Sequence, residues 1–491
     1  MNRPARGAAR LLLVAVSACE ARPAAVVSTP PPPVGLCIDS IAPALPAPAR
    51  TVYVDAQAGD DAADGHSPAT AWRSLAKADD KVRPGDLVLL SGTFNHEQIH
   101  PARSGRADAK IVYRVKPGAQ ATLVGGRYDT MVWIEGQSHI VVDGLELRDE
   151  REPIILRAGA HDIWLRNLYI HDAGTAIHLT AASNNRIEDN RIERIGSEAT
   201  NSGDGIFIQN GSNRNRIVRN TIRYGGHGAL WISYQNAAEA TSDDNVLEHN
   251  DFSNPWASGI GLAGKANRTT VQCNMVHETA NGSGPNYARA GVEIDGTANV
   301  VRFNEIFANG AQGITLQGRT FGGFVQDATN NHIYNNTFWQ NHGESVQLVQ
   351  KDVGNVQNNL IENNIFWHDG GFSSEGARYA ITSELYHADR PWSLGTTNGN
   401  IVRNNSFPAN QMLLLVIRNG APNEVYPAQL VHAMLPGWTD NQQTDPLFVN
   451  EAGRDVELRA GSPALDAGRA IAGVPYSGRA PDLGAHERAS P

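Results

Sequence analysis

The sequence predicts an all-β protein, a single-stranded right-handed parallel β-helix (a solenoid) with an N-terminal cap. The first observation behind this is a repeat. The pattern Asn-x-(Ile/Leu/Val)-x-x-Asn-x-apolar recurs eight times, from NRIEDNRI at 185–192 to NIVRNNSF at 400–407, with Thr269 in place of one first Asn. The second Asn stands at 190, 220, 250, 274, 304, 336, 364 and 405, and spacings of this length mark a solenoid. The second observation is local. Apolar and polar residues alternate over a few positions and are broken by Gly, Asn, Asp and Ser, which is the pattern of short strands and turns. Strands this short bury an apolar face only by stacking coil on coil. The third observation is the Asn itself. At a tight inward turn Asn tolerates left-handed backbone, and its amide reaches the Asn of the next coil about 4.8 Å away. The Asn rows are therefore read as structural.

The elements follow in chain order. Arg3, Arg6 and Arg10 precede the apolar run LLLVAVSA at 11–18, so residues 1–18 read as a signal peptide. Val16-Ser17-Ala18-Cys19 resembles a bacterial lipobox, which would make Cys19 the lipidated residue; a plain signal peptide is the alternative. Residues 19–50 are Pro-rich and read as a semi-rigid tether. The solenoid with its cap occupies 51–410, and AWRSLAKA at 71–78 predicts a short helix that shields the open end from edge pairing. Residues 411–491 carry no clear repeat and are expected to fold back as a C-terminal cap.

Composition narrows the function. The formal net charge is −10 before the three leader arginines are removed, which argues against an indiscriminate nucleic-acid binder. No apolar run is long enough to span a bilayer, so membrane contact is expected only through a lipid anchor. The expected location is extracytoplasmic, lipid-anchored at the outer membrane or cell surface, or secreted, and the expected state is a monomer. Beyond Cys19 only Cys37 and Cys273 remain, from which we expect neither a disulfide framework nor a cysteine metal site.

The flanks of the repeat carry a resemblance. TVYVDAQAGDDAADGHSPATAWRSLAKADDKVRPGDLVLLSGTF at 51–94, AKIVYRVKPGAQATLVGG at 109–126 and HIVVDGLELRD at 139–149 resemble the opening of bacterial extracellular β-helix proteins of the pectate-lyase-like superfamily. DPLFVNEAGRDVELRAGSPALDAG at 445–468 and APDLGAHE at 480–487 are similar to its closing segment. The resemblance implies the fold and a carbohydrate partner. It leaves the reaction open, since that superfamily includes lyases, hydrolases, epimerases, adhesins and members with no known activity.

Candidate site residues come from aligning the strand that follows each turn. Between the inward aliphatics lie two outward rows: His178, Phe207, Trp231, Gly261, Glu293, Thr315, Gln347, and Thr180, Gln209, Ser233, Ala263, Asp295, Gln317, Val349. Exposed aromatics beside amides suit sugar rings, which makes Phe207, Trp231, Gln317 and Gln347 candidate substrate-binding residues; the competing reading is a solvated face with scattered polar residues. Glu293 and Asp295, two apart on a strand, point the same way about 6.6 Å apart at Cα and could chelate Ca²⁺. Lys265 falls about 8 Å from Asp295 by the same spacings. Arg289 and His227 complete the candidate pocket.

These residues admit four kinds of function. β-Elimination on a uronic acid needs its carboxylate neutralised and a base at C5. Lys265 or Arg289 would be the base, with His227 beside them and Glu293 and Asp295 on the cation, acting on an anionic uronate polymer. A hydrolase needs two carboxyl groups about 5 to 9.5 Å apart. Asp204 lies about 14 Å from Glu293, which fails, whereas Glu293 with Asp295 passes. Epimerase chemistry begins with the same proton abstraction as the lyase. A non-catalytic carbohydrate-binding or structural β-helix would leave all these groups dispersed.

Overall fold

Each repeat folds into a coil of three short strands, and successive coils pair in parallel register to build three long sheets. The structure is a computed structural model that describes residues 41–126, 130–197, 202–279, 290–351, 353–369, 379–385, 399–409, 412–418, 422 and 424–488. The first half of the repeat forms sheet A, as in Arg186–Glu188 beside Arg216–Val218. The second half forms sheet B, as in Arg191–Ile195 beside Thr221–Gly225. The strand after the following turn forms sheet C, as in Ile206–Gln209 beside Leu230–Ile232. Alternation decides the core. Ile187, Ile192, Ile206, Ile208, Leu230 and Ile232 all point inward and are fully buried, each contributing about 1.5–3 kcal/mol of burial relative to exposure.

The second Asn of the repeat forms an unbroken buried ladder. Asn190 Nδ2 donates to Asn220 Oδ1 at 2.8 Å, Asn220 to Asn250 at 3.0 Å and Asn250 to Asn274 at 2.9 Å. The ladder continues through Asn304, Asn336, Asn364 and Asn405 to Asn441, one coil further than the sequence repeat. One expectation is corrected here. The left-handed backbone belongs to the residue before each ladder Asn, such as Asp189, Arg219, His249, Cys273 and Phe303, with φ between 52° and 58°. The Asn side chain bonds across the coils and so holds its neighbour in a conformation that L-residues otherwise avoid.

At the start, the helix Leu75–Lys81 is capped by Ser74, whose side chain accepts from the Lys77 amide. It seals the first coil with fully buried Leu75 and Ala78. At the other end, strand Met412–Arg418 extends sheet C and Gln442–Gln443 extends sheet B. The chain then returns along the outside of sheet B. Asn335 Nδ2 donates to Asp482 O at 2.9 Å, and His486 Nε2 lies 2.8 Å from Glu305 Oε1. A small second core of Phe307, Trp339, Phe448, Leu458 and Leu483 forms beneath it.

Cys273 is disulfide-bonded, contrary to the expectation of no disulfide framework. Cys19 and Cys37, the other cysteines of the chain, lie outside the described residues, as does the 1–18 leader. Among the described residues no helix is long and apolar enough to cross a membrane.

Candidate functional site

The register of sheet C sets His178, Phe207, Trp231, Gly261, Glu293, Thr315 and Gln347 side by side on successive coils. This face is far less open than a flat exposed sheet. Trp231 is only 8% exposed, Glu293 3% and Asp295 and Gln317 0%. The cause is an extension of one strand. Ile314–Phe321 runs past its neighbours and turns back antiparallel through Phe324–Gln326. This hairpin reaches the preceding coils, where Tyr234 Oη donates to Phe321 O at 2.8 Å and the Gly264 amide donates to Gln326 Oε1 at 3.2 Å.

Beneath the hairpin the two carboxylates meet a guanidinium. Arg319 Nη2 lies 3.1 Å from Glu293 Oε1 and 2.5 Å from Asp295 Oδ2. Gln317 Nε2 also donates to Glu293 Oε1, and Ser258 Oγ donates to Glu293 Oε2 at 3.3 Å. Burial, with the charge of Glu293 added, pushes the Asp295 carboxyl up to about 8. This donor set does not fit a divalent cation, because the position between the carboxylates is taken by Arg319. The expectation that Glu293 and Asp295 form a Ca²⁺ site is corrected accordingly.

Lys265 is corrected as well. Its Nζ donates to Ala237 O at 2.6 Å and to Glu239 O, and it sits over the rings of Tyr234 and Phe324 at 5.6 and 5.3 Å. An ammonium engaged by two carbonyls and two aromatic faces is a clasp between loop and hairpin, not a free base. Arg289 lies outside the described residues.

His227 is the predicted residue whose surroundings suit proton transfer. Its Nδ1 is hydrogen-bonded to Asp204 Oδ1 at 2.9 Å, and the same oxygen accepts the Gly228 amide at 3.0 Å. Burial opposes its protonation, but the hydrogen bond and charge of Asp204, aided by the charge of Glu293, leave its pKa raised. The imidazole lies 4.5 Å from the Trp231 ring, tilted by 35°, and its side chain is 27% exposed. Two glycines make room for that ring. A Cβ at Gly228 would come 2.0 Å from Trp231 Nε1, and one at Gly261 would come 2.4 Å from Cδ2.

Among the described residues, five buried polar atoms around this point make no hydrogen bond: Trp231 Nε1, Gln317 Oε1, Arg319 Nε and both Asp295 carboxylate oxygens, of which Oδ2 is held only by its ion pair with Arg319. Phe207 packs at the edge, 5.3 Å from the His178 ring. Gln347 accepts from Thr315 Oγ1 at 3.3 Å. Sequence reasoning missed Arg319, although it continues the 315, 317, 319 alternation of its own strand. It weighed Asp204 only as a partner for Glu293 and so overlooked its pairing with His227.

Two segments of the chain, 126–276 and 246–407, match the family described as right handed beta helix region. The chain belongs to the right-handed β-helix family. Among solved structures, this β-helix resembles the pectate lyase Pel9A at 15% identity and a TM-score of 0.56, covering 90% of this chain and 97% of that one. It also resembles XylC, solved in complex with xylose, at 12% identity and a TM-score of 0.50, covering 76% and 86%. At such identities the likeness is one of fold. No curated protein matches this β-helix by sequence.

Proposed function

We propose that the protein is a polysaccharide lyase that cleaves a uronic-acid-containing polymer by β-elimination, with His227 as the base. The observation that carries this reading is the Asp204–His227 pair beside Trp231. Nδ1 is committed to a carboxylate, which orients the ring and leaves Nε2 for a substrate proton. Phe207, half-buried beside Trp231 in the same row, offers a ring against which a sugar stacks. Nε2 takes the proton at C5, the electrons of that C–H bond form the C4–C5 double bond, and the C4–O4 bond breaks. The leaving oxygen then takes up a proton.

Arg319 supplies the positive charge for the substrate carboxylate. Burial and the charge of Glu293 push the Asp295 carboxyl upward, which favours its protonated form and lessens the negative charge that the Arg319 cluster sets against an anionic sugar. The pectate-lyase name of one fold relative supports the same chemistry. Glu293 and Asp295, the carboxyl pair a hydrolase would use, are both buried against Arg319, whereas His227 is reachable. The lipobox-like sequence at 16–19 supports a lipid-anchored, extracytoplasmic setting, where such polymers are met.

The test offers protein lacking residues 1–19 a panel of pectate, alginate and chondroitin, and follows the ultraviolet absorbance of the new double bond. The expected result is an absorbance rise that chelator does not abolish and that drops about 10²–10⁴-fold in His227→Ala. New reducing ends without absorbance would replace elimination with hydrolysis through Glu293 and Asp295. An unchanged rate in His227→Ala would remove His227 from the mechanism.

A further inference from the structure

The outward row of sheet C does not end at His178. Strand Val132–Glu135 pairs with Ile154–Arg157, which pairs with Ile177–Thr180, so Trp133, Ile155, His178, Phe207 and Trp231 occupy one line across five consecutive coils. Four strand steps of about 4.8 Å place Trp133 roughly 19 Å from Trp231 along the solenoid axis. The intervening Ile155, His178 and Phe207 are half-buried, neither lost in the core nor fully solvated. Beside this line runs a polar one, Glu135, Arg157, Thr180 and Gln209, in the same register.

At its far end the row opens into a cavity of about 510 Å³ lined by His96, Gln98, His100, Thr130, Trp133 and Glu135, among others. The Trp133 ring is fixed in place. Its Nε1 donates to Glu135 Oε2 at 3.2 Å, and the Arg157 guanidinium stands over the ring at 5.5 Å and lies 3.4 Å from Glu135. A tryptophan held upright in a cavity rimmed by imidazoles, an amide and a carboxylate is the chemistry that recognises a sugar ring: a flat apolar face with hydroxyl-reading groups around it. It lies on the same face and the same line as the His227 site, which argues for one linear occupant rather than two separate ligands.

We infer that the protein holds its polysaccharide along this row, with a distal sugar-binding site at Trp133 that engages only chains long enough to reach it from His227. The inference rests on the reading that the site at His227 takes a polysaccharide. Binding spread over a long track favours polymer over fragments, because each added ring in contact enlarges the surface removed from water.

The test compares wild type with Trp133→Ala on oligosaccharides of rising length, from the disaccharide to the intact polymer, drawn from whichever member of the pectate, alginate and chondroitin panel is bound. Turnover and affinity electrophoresis are read in parallel. The expected result is a KM raised about 10-fold on long chains, with kcat and the values for the shortest substrates unchanged, and with Trp133→Phe largely restoring the wild-type KM. Equal KM values for wild type and variant at every length would overturn the distal site while leaving the lyase intact. Polymer bound but not cleaved, with the length-dependent loss still seen in Trp133→Ala, would overturn the lyase and keep the track. No binding and no cleavage of any polymer by wild type would overturn both. A uniform loss at all lengths, with a lowered Tm, would show Trp133 to be structural and would also overturn the distal site.

Discussion

The Asn ladder and the outward face of sheet C both bury polar side chains, and they treat them in opposite ways. In the ladder every rung is satisfied. Asn336 donates to Val301 O, Tyr334 O and Asn364 Oδ1 and accepts from the backbone and side chain of Asn304. On sheet C, a few coils of the same solenoid leave Trp231 Nε1, Gln317 Oε1 and Arg319 Nε without partners and press two carboxylates against one guanidinium. Buried polar groups are normally paired, and exceptions call for an explanation. One region is organised for stability. The other withholds part of its hydrogen bonding, as a surface that meets a ligand does.

The largest effect should come from breaking the satisfied side. Asn336→Ala removes five contacts, in which the two Nδ2 protons are shared among three acceptors, and counted as four hydrogen bonds at about 1 kcal/mol each the loss is about 4 kcal/mol in denaturant unfolding. A loss below about 1 kcal/mol would mean the ladder is decoration on a fold held by its aliphatic core.

The matching change on the functional side is Asp204→Asn. It keeps the shape of the pair but removes the charge that raises the pKa of His227. A base works once deprotonated, so the wild-type rate climbs as pH rises through that raised pKa, and in the variant the climb moves to lower pH. The maximal rate falls about 10-fold or more as the imidazole loses its orientation, while the Tm changes little. A pH–rate profile that does not move would separate His227 from the titration.

How much of this was legible in the sequence depends on whether a residue acts within its own coil or across coils. The fold was legible because Asn190, Asn220 and their successors repeat at the solenoid period, and a period is visible without coordinates. The outward rows were legible for the same reason. Their burial was not, because it comes from a hairpin at 319–326 that breaks the repeat and leans over Tyr234 and Gly264. Lys265 misled because spacing along strands says where a Cα stands and nothing of the carbonyls at 237 and 239 that capture its ammonium. Asp204 and His227 are joined across a turn whose shape no alternation describes.

Asp295 provides a gentler way to sharpen the contrast. Its pKa is raised on folding, so the protonated folded state is favoured at low pH. The associated stability is fully present below the ordinary carboxyl pKa of the unfolded chain, about 4, and is lost as pH rises toward about 8. Asp295→Asn removes the titration. Its Tm should therefore gain on wild type as pH increases from about 5 to about 8, whereas a parallel pair of Tm–pH curves would contradict the burial of an ionisable group there.

The smallest effect comes from completing a second, interrupted row. In the row of first asparagines, Asn185 Nδ2 donates to Asn215 Oδ1 and Asn215 Nδ2 to Asn245 Oδ1 at 3.1 Å each, and the row resumes from Asn299. Thr269 stands between them, fully buried, its amide donating to Asn299 Oδ1 but its own hydroxyl without a partner. Threonine is too short to offer an oxygen where Asn245 would find one. Thr269→Asn places a carboxamide on the line of the row, gives Asn245 an acceptor and removes an unsatisfied hydroxyl. The expected gain is about 1 kcal/mol in unfolding free energy with activity unchanged. A loss instead would mean that the coil from Asn250 to Asn274, at 24 residues the shortest between successive ladder asparagines, has no room for the longer side chain, and that the threonine is the residue its tighter turn requires.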